Sequence, residues 1–282
     1  DVNIASALSS LNKSAIVTPA TNSFTQTIST SNAVDILWSI DSSGSMSEEQ
    51  ANLANGSSQF FTALNKAGVD YRLAVNTHDA YDCKSLRKTS TGSEFIDKNT
   101  ANAENEWKLL SQPGTNDSGT ETGFYCVREA NLVNFDRTNA KNIVVFVSDE
   151  PENETYEGTK QYNAATRRTF TDYKNYFLST ATTYFAISGT ANIIRPDFTT
   201  SSPSYSDPDY DCDGDGGSAS GGAHFKDIAK STGGSYASIC ADSSSWSVMF
   251  DEILRAATGL ASSFNLTQVP IPSTVKVNVN AT

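Results

Sequence analysis

Two short apolar runs constrain this chain's fold more than any other feature. They are Val34-Asp-Ile-Leu-Trp-Ser-Ile40, which runs into Asp-Ser-Ser-Gly-Ser, and Ile143-Val-Val-Phe-Val147, which runs into Ser148-Asp149. Runs this short and this apolar suit parallel strands covered on both faces, because a strand with one wet face alternates apolar and polar residues. Around them the spacing changes to helical. From Glu48 to Lys66, Leu53, Phe60, Phe61 and Leu64 recur at mostly helical intervals, and Gly68 ends the run. Ser45 or Ser47 is a candidate cap, with Glu48 or Gln50 three positions on. Further strands are predicted at Tyr71–Asn76, Thr183–Ile187 and Ser235–Ile239. Further helices are predicted at Glu104–Leu110, Thr122–Leu132, Asn163–Ser179, His224–Ser231 and Trp246–Leu260. Strands that alternate with helices predict an α/β fold: a doubly wound, mostly parallel sheet with helices on both faces.

The 282 residues accommodate one such domain of about 200 residues with additions. The expected division is an N-terminal extension over 1–32, a main domain over 33–261 and a C-terminal flanking strand within 262–282. Val275-Lys-Val-Asn-Val279 alternates with period two and is expected to pair with the N-terminal segment in a small flanking β element. The polar stretch 201–222 lacks core periodicity and is expected to be an inserted surface loop.

A net charge of -12 without a Lys/Arg cluster excludes nucleic acid as a natural partner and favours divalent cations. No run of about 18 apolar residues is present, so no transmembrane segment is expected. Cys83, Cys126, Cys212 and Cys240 form no CxxC pair, which argues against zinc and thioredoxin-type chemistry. Their even count suits two disulfides and an oxidising compartment, with four free thiols in a reducing one as the alternative. Three pairings are possible, and chain order suggests Cys83–Cys126 and Cys212–Cys240.

Ligands of an open α/β sheet collect beyond the carboxyl ends of its strands. The first apolar run delivers Asp41, Ser43 and Ser45 there, and the later one delivers Asp149. A carboxylate and two hydroxyls at alternate positions of a turn can converge on one point, with Gly44 easing the bend. An all-oxygen set of low charge suits Mg²⁺, Mn²⁺ or Ca²⁺. Taken alone, Asp41-Ser-Ser-Gly-Ser45 could also be a helix-capping turn.

Asp41-Ser-Ser43-Gly-Ser45 resembles the D-x-S-x-S signature of the von Willebrand factor A family. Gly119-Thr120-Glu-Thr122-Gly123 resembles that family's G-T-x-T-G loop, and Asp149 matches its Asp after the fourth strand. The resemblance covers about Val34 to Leu260 and is nearest to bacterial secreted or surface members. It implies a metal-ion-dependent adhesion site in which Ser43, Ser45 and Thr120 ligate directly, while Asp41 and Asp149 act largely through water. One coordination position stays open for an Asp or Glu carboxylate of a protein ligand. The implied function is a non-enzymatic, cation-dependent adhesion module, monomeric within a larger secreted, periplasmic or surface protein of a bacterial envelope.

Weaker signals remain. Glu48 and Glu49 fall where integrin β-type members carry acids for a second metal, although acids in a first helical turn also favour the helix dipole. Asp209, Asp211, Asp213 and Asp215 are spaced as in the start of a calcium loop, yet position twelve is Ser220, so an additional Ca²⁺ site and a plain acidic loop are both open. Glu150 and Glu152 either shape a partner surface or are simply solvated. Two rival functions are a structural subunit of a surface or pilus assembly stiffened by metal, and a metallohydrolase with His78 or Glu150 as base. His78 itself reads as a polar surface residue.

Overall fold

The computed structural model describes residues 33–79, 81–116, 121–152, 156–157, 160–161, 168–189, 211–214, 217–220, 222–241 and 246–258. The expected terminal elements over 1–32 and 262–282 lie outside these residues.

A six-stranded sheet organises the described chain. Strands β1 (Ala33–Ile40), β2 (Asp70–Thr77), β3 (Ile96–Asp97), β4 (Lys141–Ser148), β7 (Thr182–Ser188) and β10 (Tyr236–Ser238) lie in the order β10-β7-β4-β1-β2-β3. All neighbours pair in parallel except the short edge strand β3, which runs antiparallel to β2. Two antiparallel hairpins stand apart, β5 (Tyr156–Glu157) with β6 (Lys160–Gln161) and β8 (Asp211–Gly214) with β9 (Gly217–Ser220).

Strand alternation sorts the core into two layers. On β1, Val34, Ile36, Trp38 and Ile40 join one cluster, together with Leu53 of α1 (Ser47–Asn55), Phe60 and Leu64 of α2 (Ser57–Lys66), Trp107 of α3 (Ala103–Leu110) and Phe250 of α7 (Trp246–Thr258). Leu37, between them, joins the other cluster. Its companions are Phe124 of α4 (Gly123–Glu129), Phe177 of α5 (Phe170–Ser179) and Phe225 of α6 (Ala223–Ser231). The α/β fold with helices on both faces is therefore as the sequence predicts. Each of these fully buried large side chains contributes about 1.5–3 kcal/mol through removal from water.

Several boundaries differ from expectation. The predicted helix over 48–66 is two helices that break at Gly56. A Cβ there would lie 3.0 Å from the Phe250 ring, so the glycine admits a close approach of α7. No side chain caps α1, whose N-cap is Met46. Gln50, read as part of a capping box, instead donates to the backbone oxygens of Asp41 (3.0 Å) and Gly114 (2.8 Å). The capping box sits at α5, where Thr169 and Asp172 bond reciprocally. The insertion ends in the β8–β9 hairpin rather than in loop throughout, with Ala219 buried against the core.

Candidate functional site

The strand order reverses at β1, whose neighbours are β2 on one side and β4 on the other. A crevice opens beyond the carboxyl ends of two parallel strands where their connections diverge to opposite sides. Asp41 leaves β1 and Asp149 leaves β4 at this point. Backbone bonds draw the strand exits together: Asp41 N–H donates to Val147 O at 2.9 Å, and His78 N–H donates to Ile40 O at 3.2 Å.

Asp41 is buried, 1% exposed, and both of its carboxylate oxygens are engaged. The Ser43 backbone N–H donates to Oδ1 at 2.8 Å and the Ser148 hydroxyl donates to Oδ2 at 2.6 Å. Ser43 Oγ lies 3.3 Å from Ser45 Oγ. Ser43 is buried while Gly44 and Ser45 face solvent, so the turn is open on that side. Gly44 does not require its conformational freedom here: its φ is not positive, and a Cβ would meet only Thr115 O at 3.9 Å. Asp149 is 3% exposed, accepts a hydrogen bond from the Ser45 side chain and leaves Oδ1 without a partner. Burial, reinforced by the charges of Asp41, Glu49 and Glu150, pushes its carboxyl up to about 7.

Thr120 lies outside the described residues, whereas its neighbours Glu121 and Thr122 are in place. Glu121 is buried, and burial together with the Asp41 charge and a side-chain hydrogen bond to Glu150 pushes it up to about 9. Glu48 and Glu49 part company. Glu48 is exposed, whereas Glu49 is buried, has an unpartnered Oε2 and is pushed up to about 6, chiefly by burial. No ion pair among the described residues reaches Asp41, Glu49, Glu121, Asp149 or Glu150. Burial and mutual repulsion raise the carboxyls of Glu49, Glu121 and Asp149, and a bound cation would offset both.

Among the described residues no group of three or more His, Cys, Asp and Glu side chains is arranged to hold a metal alone. The donors at this edge are mixed. Asp41, Ser43, Ser45 and Asp149 could hold a hard cation with waters completing the shell, and the orphaned Asp149 Oδ1 is an acceptor that fits such an ion.

Two expectations are corrected. His78 is not at the surface: it is 1% exposed, stacked on Phe225 at 6.0 Å and pressed against Gly123, and burial lowers its pKa. Glu152 is not solvated either. It is 3% exposed and accepts a 3.0 Å bond from Phe124 N–H in the first turn of α4. Sequence reasoning also missed Gln50 and Glu121 as parts of this edge, and only the position of Glu121 beside Thr120 could have signalled it. In the acidic insertion, Asp211 and Asp213 stand on β8 opposite Ser220 and Ser218, while Asp209 and Asp215 lie outside the described residues. The four cysteines form Cys83–Cys126 and Cys212–Cys240.

No family model matches the sequence, and no curated protein matches it. Solved structures similar to it include the pilus adhesin SpaC of Lactobacillus rhamnosus GG. That likeness has 13% identity and a TM-score of 0.49, over 80% of this chain and 30% of the adhesin. The PilB minor pilin of Streptococcus sanguinis is 10% identical over 84% of this chain and 64% of the pilin, with TM-score 0.49. A von Willebrand factor type A protein of Catenulispora acidiphila is 12% identical over 80% of this chain and 43% of its own, with TM-score 0.47. This chain thus spans less than two thirds of each. Likeness at this distance transfers no ligand, partner or activity. Among the described residues no helix is long and apolar enough to cross a membrane.

Proposed function

We propose that this chain is a von Willebrand factor A-type adhesion module of a secreted or surface protein, holding a divalent cation through Ser43, Ser45 and Thr120 directly and through Asp41 and Asp149 largely by way of water. The supporting observation is the crowding of buried carboxyls at the site. Buried carboxyls at the switch point repel one another, with Asp149 Oδ1 unpartnered and no lysine or arginine ion-paired to them among the described residues. A bound Mg²⁺, Mn²⁺ or Ca²⁺ would supply the missing positive charge and an open coordination position for an Asp or Glu carboxylate of a partner protein. The chain's own residues hold the cradle in shape. Ser148 and the Ser43 amide fix the Asp41 carboxylate. Ser45 orients Asp149, and Gln50 ties the Asp41 backbone to Gly114. The two disulfides favour an oxidising, extracytoplasmic setting.

Calorimetric titration of EDTA-stripped protein with Mg²⁺, Mn²⁺ and Ca²⁺ tests this reading, with Asp41→Ala/Ser43→Ala alongside. Saturable binding that the variant loses supports it, and no binding by the intact protein overturns it. The near-complete burial of Asp41 and Asp149 favours a second reading, in which the cation stiffens a surface or pilus subunit and meets no partner. Loss of stability in Asp41→Ala without loss of any carboxylate-bearing partner would select that reading.

A further inference from the structure

We propose that the Cys83–Cys126 disulfide is a positioning element of the candidate site, latching the stretch from Glu121 to Cys126 to the end of β2 and thereby setting the affinity for the cation. The inference rests on the cation reading above. Its basis is a convergence of connections between the β2 exit and the first turn of α4. The disulfide joins the two directly. Asn76 Nδ2, at the end of β2, donates to the backbone oxygens of both half-cystines, 3.1 Å to Cys83 and 3.3 Å to Cys126. Thr122 N–H and Oγ1 each donate to His78 O at 3.4 Å, and Asp79 pairs with Glu121 in an isolated antiparallel bridge. Gly123 packs so closely on the His78 ring that a Cβ would lie 2.7 Å from Nε2. Glu152, from the segment after Asp149, holds Phe124 N–H. Glu121 lies within this anchored stretch, 4% exposed with Oε1 unpartnered and close enough to Asp41 to feel its charge, so the latch fixes where this carboxyl stands beside the site.

None of these connections supplies a donor to the cation. Their effect is on order: a segment already held in place has less freedom to lose when a ligand binds. Both half-cystines are buried, 1% and 0% exposed, which makes the bond a permanent brace in the folded protein. Cys212–Cys240 provides an internal contrast. It ties β8 to the residue two places beyond β10, and β10 is separated from β1 by β7 and β4.

The test is Mg²⁺ titration of wild type, Cys83→Ser/Cys126→Ser and Cys212→Ser/Cys240→Ser, each also melted without metal. Both variants are expected to melt lower than wild type. Only the first should bind Mg²⁺ more weakly, by about tenfold, as for the loss of a group that orients metal ligands. The second should stay within about twofold, because its bond is remote from the site. Equal affinities in all three proteins, or equal weakening in both variants, overturns the proposal. Should wild type bind no Mg²⁺, the cation reading fails by itself, and amide exchange judges the latch: faster exchange at 121–124 in Cys83→Ser/Cys126→Ser, with β1 and β4 still protected, supports it, and unchanged exchange overturns it. If that variant does not fold, Thr122→Val takes its place. Loss of its hydroxyl bond to His78 O should weaken Mg²⁺ binding about threefold, and an unchanged affinity overturns the proposal.

Discussion

The two ends of the central sheet treat buried acid in opposite ways. At the amino ends of β1 and β2, Arg137 gathers Asp35 and Asp70. Its Nε donates to Asp35 Oδ1 at 2.8 Å, its Nη1 to Asp70 Oδ2 at 2.9 Å, and its Nη2 to the backbone oxygens of Val34 and Asp70. Its own backbone N–H takes the other Asp35 oxygen at 2.7 Å. Charge and hydrogen bonds are both satisfied there. At the carboxyl ends of β1 and β4, Asp41, Glu49, Glu121 and Asp149 crowd together without an arginine or lysine ion-paired to them among the described residues, and oxygens of Glu49, Glu121 and Asp149 are left unpartnered. The contrast teaches where each end's stability comes from. The Arg137 end is complete as folded, whereas the Asp149 end holds unmet electrostatic demand that a cation can answer.

The largest test of this contrast is Arg137→Met. Removing the guanidinium strands the fully buried Asp35 carboxylate, and a loss of about 3–5 kcal/mol is expected in denaturant unfolding, the same with and without Mg²⁺. A loss under about 1 kcal/mol would mean that the amino end is not held by charge.

The second test uses pH. Asp149 is pushed from 3.8 to about 7 in the folded protein, so the metal-free fold binds its proton more tightly than the unfolded chain does. That contribution to stability is fully present below pH 3.8 and is lost as pH rises through about 7. Melting of the stripped protein should therefore show Mg²⁺ raising Tm at pH 8 and leaving it nearly unchanged at pH 5. A Mg²⁺ effect that is larger at pH 5 would sink the account of the carboxyl end.

Asp149→Asn sharpens the comparison further. It removes the repulsion while keeping the shape, so the metal-free variant at pH 8 should be as stable as wild type or more so, by about 1 kcal/mol, with no response to Mg²⁺. A large destabilisation would show that this carboxylate is structural in the manner of Asp35. The smallest effect is expected from Glu152→Gln, which weakens the bond to Phe124 N–H. It should cost about 1 kcal/mol, measured by chemical unfolding.

The sequence made one half of this picture legible and concealed the other. β1 and β4 could be read because strands covered on both faces must be apolar along their whole length, and the positions of Asp41, Ser43, Ser45 and Asp149 follow from where those strands end. The break at Gly56 could not be read, because helical spacing of Leu53, Phe60 and Leu64 continues across it and the cause lies in Phe250, far along the chain. The burial of His78 was hidden for a similar reason. It sits in a polar stretch, and the walls of its pocket, Phe225 and Gly123, come from α6 and α4. Glu152 reads as a solvated acid because a carboxylate that accepts from a helix's first turn has no signature unless it precedes that helix in sequence. The β8–β9 hairpin lacks apolar alternation in Asp-Cys-Asp-Gly and Gly-Ser-Ala-Ser, so nothing local distinguishes it from a loop.

The pairing of β1 with β4 also has a temporal side. Val34 pairs with Tyr71 on one flank and with Lys141 on the other, and Ser148, which fixes Asp41, lies 107 positions beyond it. Loop closure over such a span is slow compared with local helix and hairpin formation. As the chain emerges during synthesis, β1 can meet β2 early, but its second edge stays open until β4 arrives. The edge that brings Asp41 and Asp149 together is thus assembled only with the longest-range strand pairing of the sheet.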